Sequence, residues 1–237
     1  TITPTGLTSN NYNITYVDGT LTVGQKDVGL SWSTTTTFPY DGSSHILTAT
    51  ATDLVNNDEV GVTVTGEQTN AGDHTATASA LTGTKTGNYK LPDANTHAFS
   101  ITKVPLTVTA NNHSITYGDA LSNSGVTYSG FVGGEDEGVL GGMLDYAYSY
   151  NLYDDVGDNY TITPSGLSST NYTFAYNNGI LTVNPKEVGI DWTNTELTYN
   201  RSAQAPTAAA TGVVNDDDVS VNRRSEERFS RNAETDI

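Results

Sequence analysis

The sequence has no cysteine, which excludes disulfide scaffolds and thiolate metal sites. No apolar run approaches the ~18 residues that read as a membrane-spanning helix, so membrane insertion is not expected. Basic residues are scarce: 10 Lys and Arg stand against 27 Asp and Glu, for a net charge of −17. Residues 1–221 alone hold 23 acids and 6 bases, so that body carries the whole charge. Such a surface stays solvated and repels phosphate backbones, and no nucleic-acid partner is expected. Catalytic signatures are missing too. There is no G-x-S-x-G, P-loop or G-x-G-x-x-G, and His45, His74, His97 and His113 are scattered without a metal-binding spacing. Nucleophilic and nucleotide chemistry lack a platform, and the chain is not expected to be an enzyme or to carry a cofactor.

What is present is repetition. TITPTGLTSNNYNITYVDGTLTV at 1–23 returns as TITPSGLSSTNYTFAYNNGILTV at 161–183, an offset of 160. QKDVGLSW (25–32) returns as PKEVGIDW (185–192), and LTATATDLVNNDEVGV (47–62) as PTAAATGVVNDDDVSV (206–221) after a slip of one. A weaker period of half that length lies inside. Tyr40-Asp41-Gly42 opens one half and Tyr117-Gly118-Asp119 the other. Each half then has an acidic turn (53–61 and 130–142), a Gly-Asp step, an Asn-Tyr pair (Asn88-Tyr89 and Asn171-Tyr172) and a closing strand. Fixed-period similarity marks an array of small units, which uses its mass for reach and surface rather than for one chemical site.

The local pattern is β. Threonine, tyrosine, asparagine and glycine favour strands and turns over helices. Val28, Leu30 and Trp32 alternate, as do Val188, Ile190 and Trp192, and Leu106, Val108 and Ala110; period two means half-buried strands. Asp18-Gly19 and Asn178-Gly179 have the chemistry of two-residue hairpin turns. Each acidic turn could start one helical turn from an Asn or Asp cap, so the reading is mainly β with at most one short helix per module.

The order of these landmarks resembles the MBG domains of bacterial surface proteins. Tyr117-Gly118-Asp119 is similar to the YGX subtype, and Tyr40-Asp41-Gly42 to the YDG domain of filamentous-haemagglutinin-like adhesins. The resemblance implies tandem β modules of about 80 residues, β-grasp-like or immunoglobulin-like, in an elongated array on the bacterial cell surface. It assigns 1–23 to the C-terminal part of a YGX-type module, 24–103 to a YDG-type module, 104–183 to a YGX-type module and 184–221 to a truncated YDG-type module. Residues 222–237 read as a non-native or disordered tail. A chain that starts mid-motif reads as a fragment of an extracellular protein lacking its signal and anchor. The family implies no catalytic residues. The last copy reads Tyr199-Asn200-Arg201 where the first has Tyr40-Asp41-Gly42, which speaks against ligand binding by the Asp and Gly, and the motif residues are read as structural.

Two kinds of side chain remain as candidates. The acidic clusters include Asp154, Asp155 and Asp158, which could offer oxygens to calcium. The competing reading, favoured because Asp58-Glu59 recurs as Asp217-Asp218, is a structural turn or cap. Tyr146, Tyr148 and Tyr150 fall on one face of a strand, where exposed rings could stack on sugars; the competing reading is that they cover a small core. The function expected is a structural stalk whose partners are neighbouring repeats. The alternative is weak, multivalent binding of host or environmental glycans or proteins.

Overall fold

Alternation of apolar residues with threonine decides where the strands form. In the strand VPLTVTA, Leu106, Val108 and Ala110 point inward and are buried, while the residues between them stay partly exposed. In GILTVN, Gly179, Leu181 and Val183 are the buried set. The computed structural model describes residues 1–221, so the reading of 222–237 as a tail lies outside the described residues. Two compact units are present. One contains residues 1–106, 130–142 and 168–174; the other contains 107–129, 143–167 and the described residues from 175 on.

The first unit holds β1 (Lys26–Asp27), β2 (Gly29–Trp32), β3 (Thr37–Pro39), β4 (Ala49–Thr52), β5 (Gly61–Thr65), β6 (Gly72–Thr82), β7 (Tyr89–Lys90) and β8 (Thr96–Thr102). Four strands form a sheet in the order β3-β8-β6-β5, with β3 parallel to β8 and the other pairs antiparallel. β2 and β4 pair antiparallel, and β1 runs parallel to β7. Val28, Ala51, Val60 and Tyr89 form a buried cluster, with Leu30, Leu54, Val62 and Leu81 packed against it. Trp32 stacks on His97 with ring centres 5.5 Å apart.

β9 (Val104–Ala110) starts in the first unit and runs into the second. There follow β10 (His113–Thr116), β11 (Val126–Ser129), β12 (Gly141–Tyr148), β13 (Gly157–Ser168), β14 (Tyr172–Asn177), β15 (Gly179–Asn184), β16 (Gly189–Thr193) and β17 (Thr207–Thr211). Their main sheet runs β10-β15-β13-β12, with β10 parallel to β15 and β13 antiparallel to β15. This is the strand order of the first four-stranded sheet, including a parallel first-to-last pair. β11, β9 and β14 form a second sheet, and β16 and β17 a third. Ala110, Ile115, Tyr150, Ile162, Leu181 and Val183 make the buried cluster.

Helical structure among the described residues is limited to two single 3-10 turns, Thr86–Asn88 and Glu137–Val139. The second is capped as expected, with the Asp136 carboxylate accepting from the Gly138 amide at 2.9 Å. The acidic segment at 53–61 forms a reverse turn instead of a helix start, a correction to the expectation.

Neither expected hairpin forms. Asn178-Gly179 separates strands that belong to different sheets, β14 with β9 and β15 with β10 and β13. Gly179 does not need a positive φ. It is needed because a Cβ there would lie 2.6 Å from the Ala110 carbonyl and 2.8 Å from that of Asn111. The Asp18-Gly19 segment makes only an isolated bridge between Gly19 and Ile2. The similar residues 161–183 become three strands, in which β15 pairs with β10 and β13 with β12. Sequence supplies the alternation, and a neighbouring strand is needed to turn it into a sheet.

Candidate functional site

The acidic turns share one backbone form. At Val55-Asn56-Asn57-Asp58 the two central residues have φ of 55° and 57°, and the Asp58 amide donates to the Val55 carbonyl at 3.0 Å. At Val132-Gly133-Gly134-Glu135 the central φ values are 62° and 80°, with Glu135 donating to Val132 at 3.0 Å. At Val214-Asn215-Asp216-Asp217 they are 58° and 53°, with Asp217 donating to Val214 at 3.2 Å. Two positive φ values closed by an i to i+3 bond are the pattern of a type I′ turn, and Asn, Asp and Gly are the residues that tolerate it. Residues in that conformation lie outside the right-handed helical region, so Asn56-Asn57 and Asn215-Asp216 begin no helix, and after Gly133-Gly134 the 3-10 turn starts only at Glu137.

Each turn ends in a carboxylate that takes tyrosine hydroxyls. Tyr89, 2% exposed, donates to Asp58 at 3.0 Å and accepts the Val55 amide at 3.0 Å. Tyr172, also 2% exposed, donates to Glu135 and accepts the Val132 amide at 3.1 Å. These are the tyrosines of the two Asn-Tyr pairs. Glu135 takes a second hydroxyl on its other oxygen, from Tyr40 of the Tyr-Asp-Gly motif. The Tyr40 and Tyr172 rings meet edge to face with centres 5.7 Å apart, and Phe131 meets Tyr172 the same way at 5.6 Å. In the second unit, Tyr117 of the Tyr-Gly-Asp motif donates to Asp217 at 2.7 Å. The motif tyrosine of one sequence repeat therefore reaches the acidic turn of the next, twice over.

The electrostatics follow from these bonds. The Tyr40 phenol is pushed up to about 12, first by donating to Glu135 and then by burial. Tyr117 is pushed up to about 12 by donating to Asp217. Tyr172 is raised chiefly by burial, with the bond to Glu135 adding to it. A phenol beside a carboxylate resists losing its proton because the products would be two adjacent anions.

The other motif residues shape the approach. The Asp41 carboxylate accepts the Ser43 amide at 2.8 Å and lies 3.0 Å from His45 Nε2; these bonds hold it below the usual carboxylate range, the Ser43 amide contributing most. Asp119 accepts the Thr116 amide at 3.1 Å. Gly42 and Gly118 have φ of 78° and 84°, and a Cβ on Gly118 would lie 2.9 Å from Val214. Asn171 adds a further link, its side-chain oxygen accepting the Ala71 amide at 2.8 Å and its amide donating to Asn70 at 3.1 Å.

The remaining candidates are placed as follows. Tyr150 is 1% exposed and belongs to the core cluster, where Tyr146 and Tyr148 pack half-buried against it. The Tyr148 hydroxyl accepts from the Asn123 side chain at 3.2 Å. Asp154 accepts the Asn151 backbone amide at 2.8 Å and its side-chain amide at 3.1 Å, closing a local turn. The Asp155 carbonyl accepts the Tyr160 hydroxyl at 2.7 Å, and Asp158 is exposed near the start of β13. No cluster of three or more His, Asp or Glu that could hold a metal ion occurs among the described residues. No helix among them is long and apolar enough to cross a membrane. Sequence reasoning missed the roles of Glu135 and Asp217 as tyrosine acceptors. The available signal was that motif tyrosine, acidic turn and Asn-Tyr pair recur together in every half.

Residues 106–182 match the family model of the MBG domain (YGX type), the frame that holds Tyr117-Gly118-Asp119, the Val132–Glu135 turn and Tyr172. No curated protein matches the chain.

Proposed function

We propose that this chain consists of spacer repeats from a large secreted bacterial surface adhesin, which project a distal binding region away from the cell. The observation that carries the reading is the use of the acidic turns. Glu135 spends both carboxylate oxygens on tyrosines, one from its own repeat and one from the repeat before it. A side chain engaged with tyrosines of two successive repeats serves mechanical continuity between them. The match of residues 106–182 to the MBG domain supports a repeat of surface proteins. Residues 24–103 are read as the alternating YDG-type repeat. The reading needs no reaction and no cofactor, and its partners are the neighbouring repeats.

Weak multivalent adhesion is the competing function, with Tyr146 and Tyr148 as its remaining aromatic surface. The two are separated by applying the full chain to a glycan array and to immobilised mucin, and by recording its small-angle scattering. The spacer reading expects an extended scattering profile and no glycan retained at millimolar concentration. Millimolar or tighter binding that disappears in Tyr148→Ala would overturn it in favour of adhesion.

A further inference from the structure

The turn Val55-Asn56-Asn57-Asp58 has the same backbone as Val214-Asn215-Asp216-Asp217, and the two are equivalent in the sequence repeat. Their occupancy differs. The Asp217 turn is covered: Tyr117 donates to its carboxylate, and Gly118 lies so close to Val214 that no side chain would fit between them. Among the described residues, the one tyrosine hydroxyl on the Asp58 turn is that of Tyr89. Its outer face is open, and Val55 is 48% exposed. Glu135 shows what a filled turn looks like, with one tyrosine from its own repeat and one from the repeat before. Asp58 and Asp217 each display one half of that arrangement, and each displays a different half.

We infer that the outer face of the Val55–Asp58 turn is a docking surface for a Tyr-Gly-Asp segment of a YGX-type repeat, one with the chemistry of Tyr117-Gly118-Asp119. The occupant is fixed by the equivalent turn, which already holds that segment in this chain. The tyrosine hydroxyl donates to the Asp58 carboxylate alongside Tyr89, and the glycine lies flat on Val55 as Gly118 does on Val214. A glycine is required because Val55 projects where a Cβ would fall. The Tyr40-Asp41-Gly42 motif meets a turn with glycines at its centre, and there a Cβ on Gly42 would make only an ordinary contact, 4.0 Å from the Gly133 Cα, so the steric demand for glycine belongs to turns with side chains such as Val214. The specificity is for phenol plus glycine together, so a bare tyrosine side chain is not a sufficient partner. The inference takes its partner from the repeat reading but does not depend on the spacer role; its failure would leave the scattering and glycan outcomes unaffected.

The repeat supplies the test. Residues 1–23 correspond to 161–183, so adding a copy of residues 104–160 ahead of Thr1 places a whole YGX-type repeat directly before residue 24. Methyl resonances of Val55 are then compared in the original and extended chains, with a soluble paramagnetic agent reporting exposure. In the extended chain Val55 should lose most of its relaxation enhancement, down to the level of Val214. Phe in place of the added tyrosine, or Asp58→Asn, should restore at least part of it. If Val55 stays as exposed as in the original chain, the inference is wrong. An added segment that does not fold there, while residues 104–183 of the same chain do, counts against it equally, because the seat on Asp58 is what the inference supplies.

Discussion

The side chain that most governs this chain is tyrosine, used as a buried hydroxyl donor to a turn carboxylate. Tyr89 shows the economy of it, since one hydroxyl satisfies both Asp58 and the Val55 amide. Tyr89→Phe keeps the ring and removes both bonds, and should cost about 1–3 kcal/mol, read as a lower urea midpoint at unchanged slope. The pH dependence has a definite sign. Folded Tyr40 and Tyr117 titrate at about 12 against an ordinary 10.0, so the unfolded state releases these protons first as pH rises. Their contribution is complete below pH 10 and is lost between pH 10 and 12. The melting temperature should fall across that window, and Tyr40→Phe should flatten the fall. Much of this was legible in the sequence as landmarks: Tyr40, Tyr117, the Asn-Tyr pairs and the acidic turns all stand out by recurrence. Their pairing was not, because Tyr40 and Glu135 are far apart in sequence and recurrence alone does not say which landmark touches which.

At the scale of elements, the alternating strands were readable and their partners were not. Leu106, Val108 and Ala110 are buried as the pattern requires. Asn178-Gly179 reads as a hairpin turn on local chemistry, yet its flanking strands join different sheets, and the glycine serves close packing. Gly179→Ala should therefore destabilise through a clash with the Ala110 and Asn111 carbonyls, by about 1–3 kcal/mol, measured by thermal melting. The acidic turns make the complementary case. Their centres read Asn-Asn, Gly-Gly and Asn-Asp, three solutions to one demand for positive φ. Replacing Asn56-Asn57 by Gly-Gly should be nearly neutral, whereas Ala-Ala should cost roughly 1–2 kcal/mol per residue. Equal effects from both replacements would contradict the turn assignment.

At the scale of the molecule, context decides what a repeat becomes. Residues 161–183 form three strands and the similar residues 1–23 form none. Trp32 stacks on His97, while its counterpart Trp192 is 48% exposed on the lone β16–β17 pair. A unit of about 80 residues would be marginal alone, and contacts with neighbours in an array would add to its stability. Glu135 and Asp217 accept tyrosine hydroxyls from the preceding sequence repeat, and Asp154 is bonded to Asn151 in a local turn. Added calcium should accordingly leave the melting temperature unchanged, and an upward shift would restore a metal-binding role to the acidic turns. The most direct test of the whole account is a double-mutant cycle on Tyr40→Phe and Glu135→Gln, followed by urea unfolding of the full chain. If the acidic turn joins one repeat to the next, the two changes should be coupled by about 1–3 kcal/mol. Effects that add to within about 0.5 kcal/mol would contradict it.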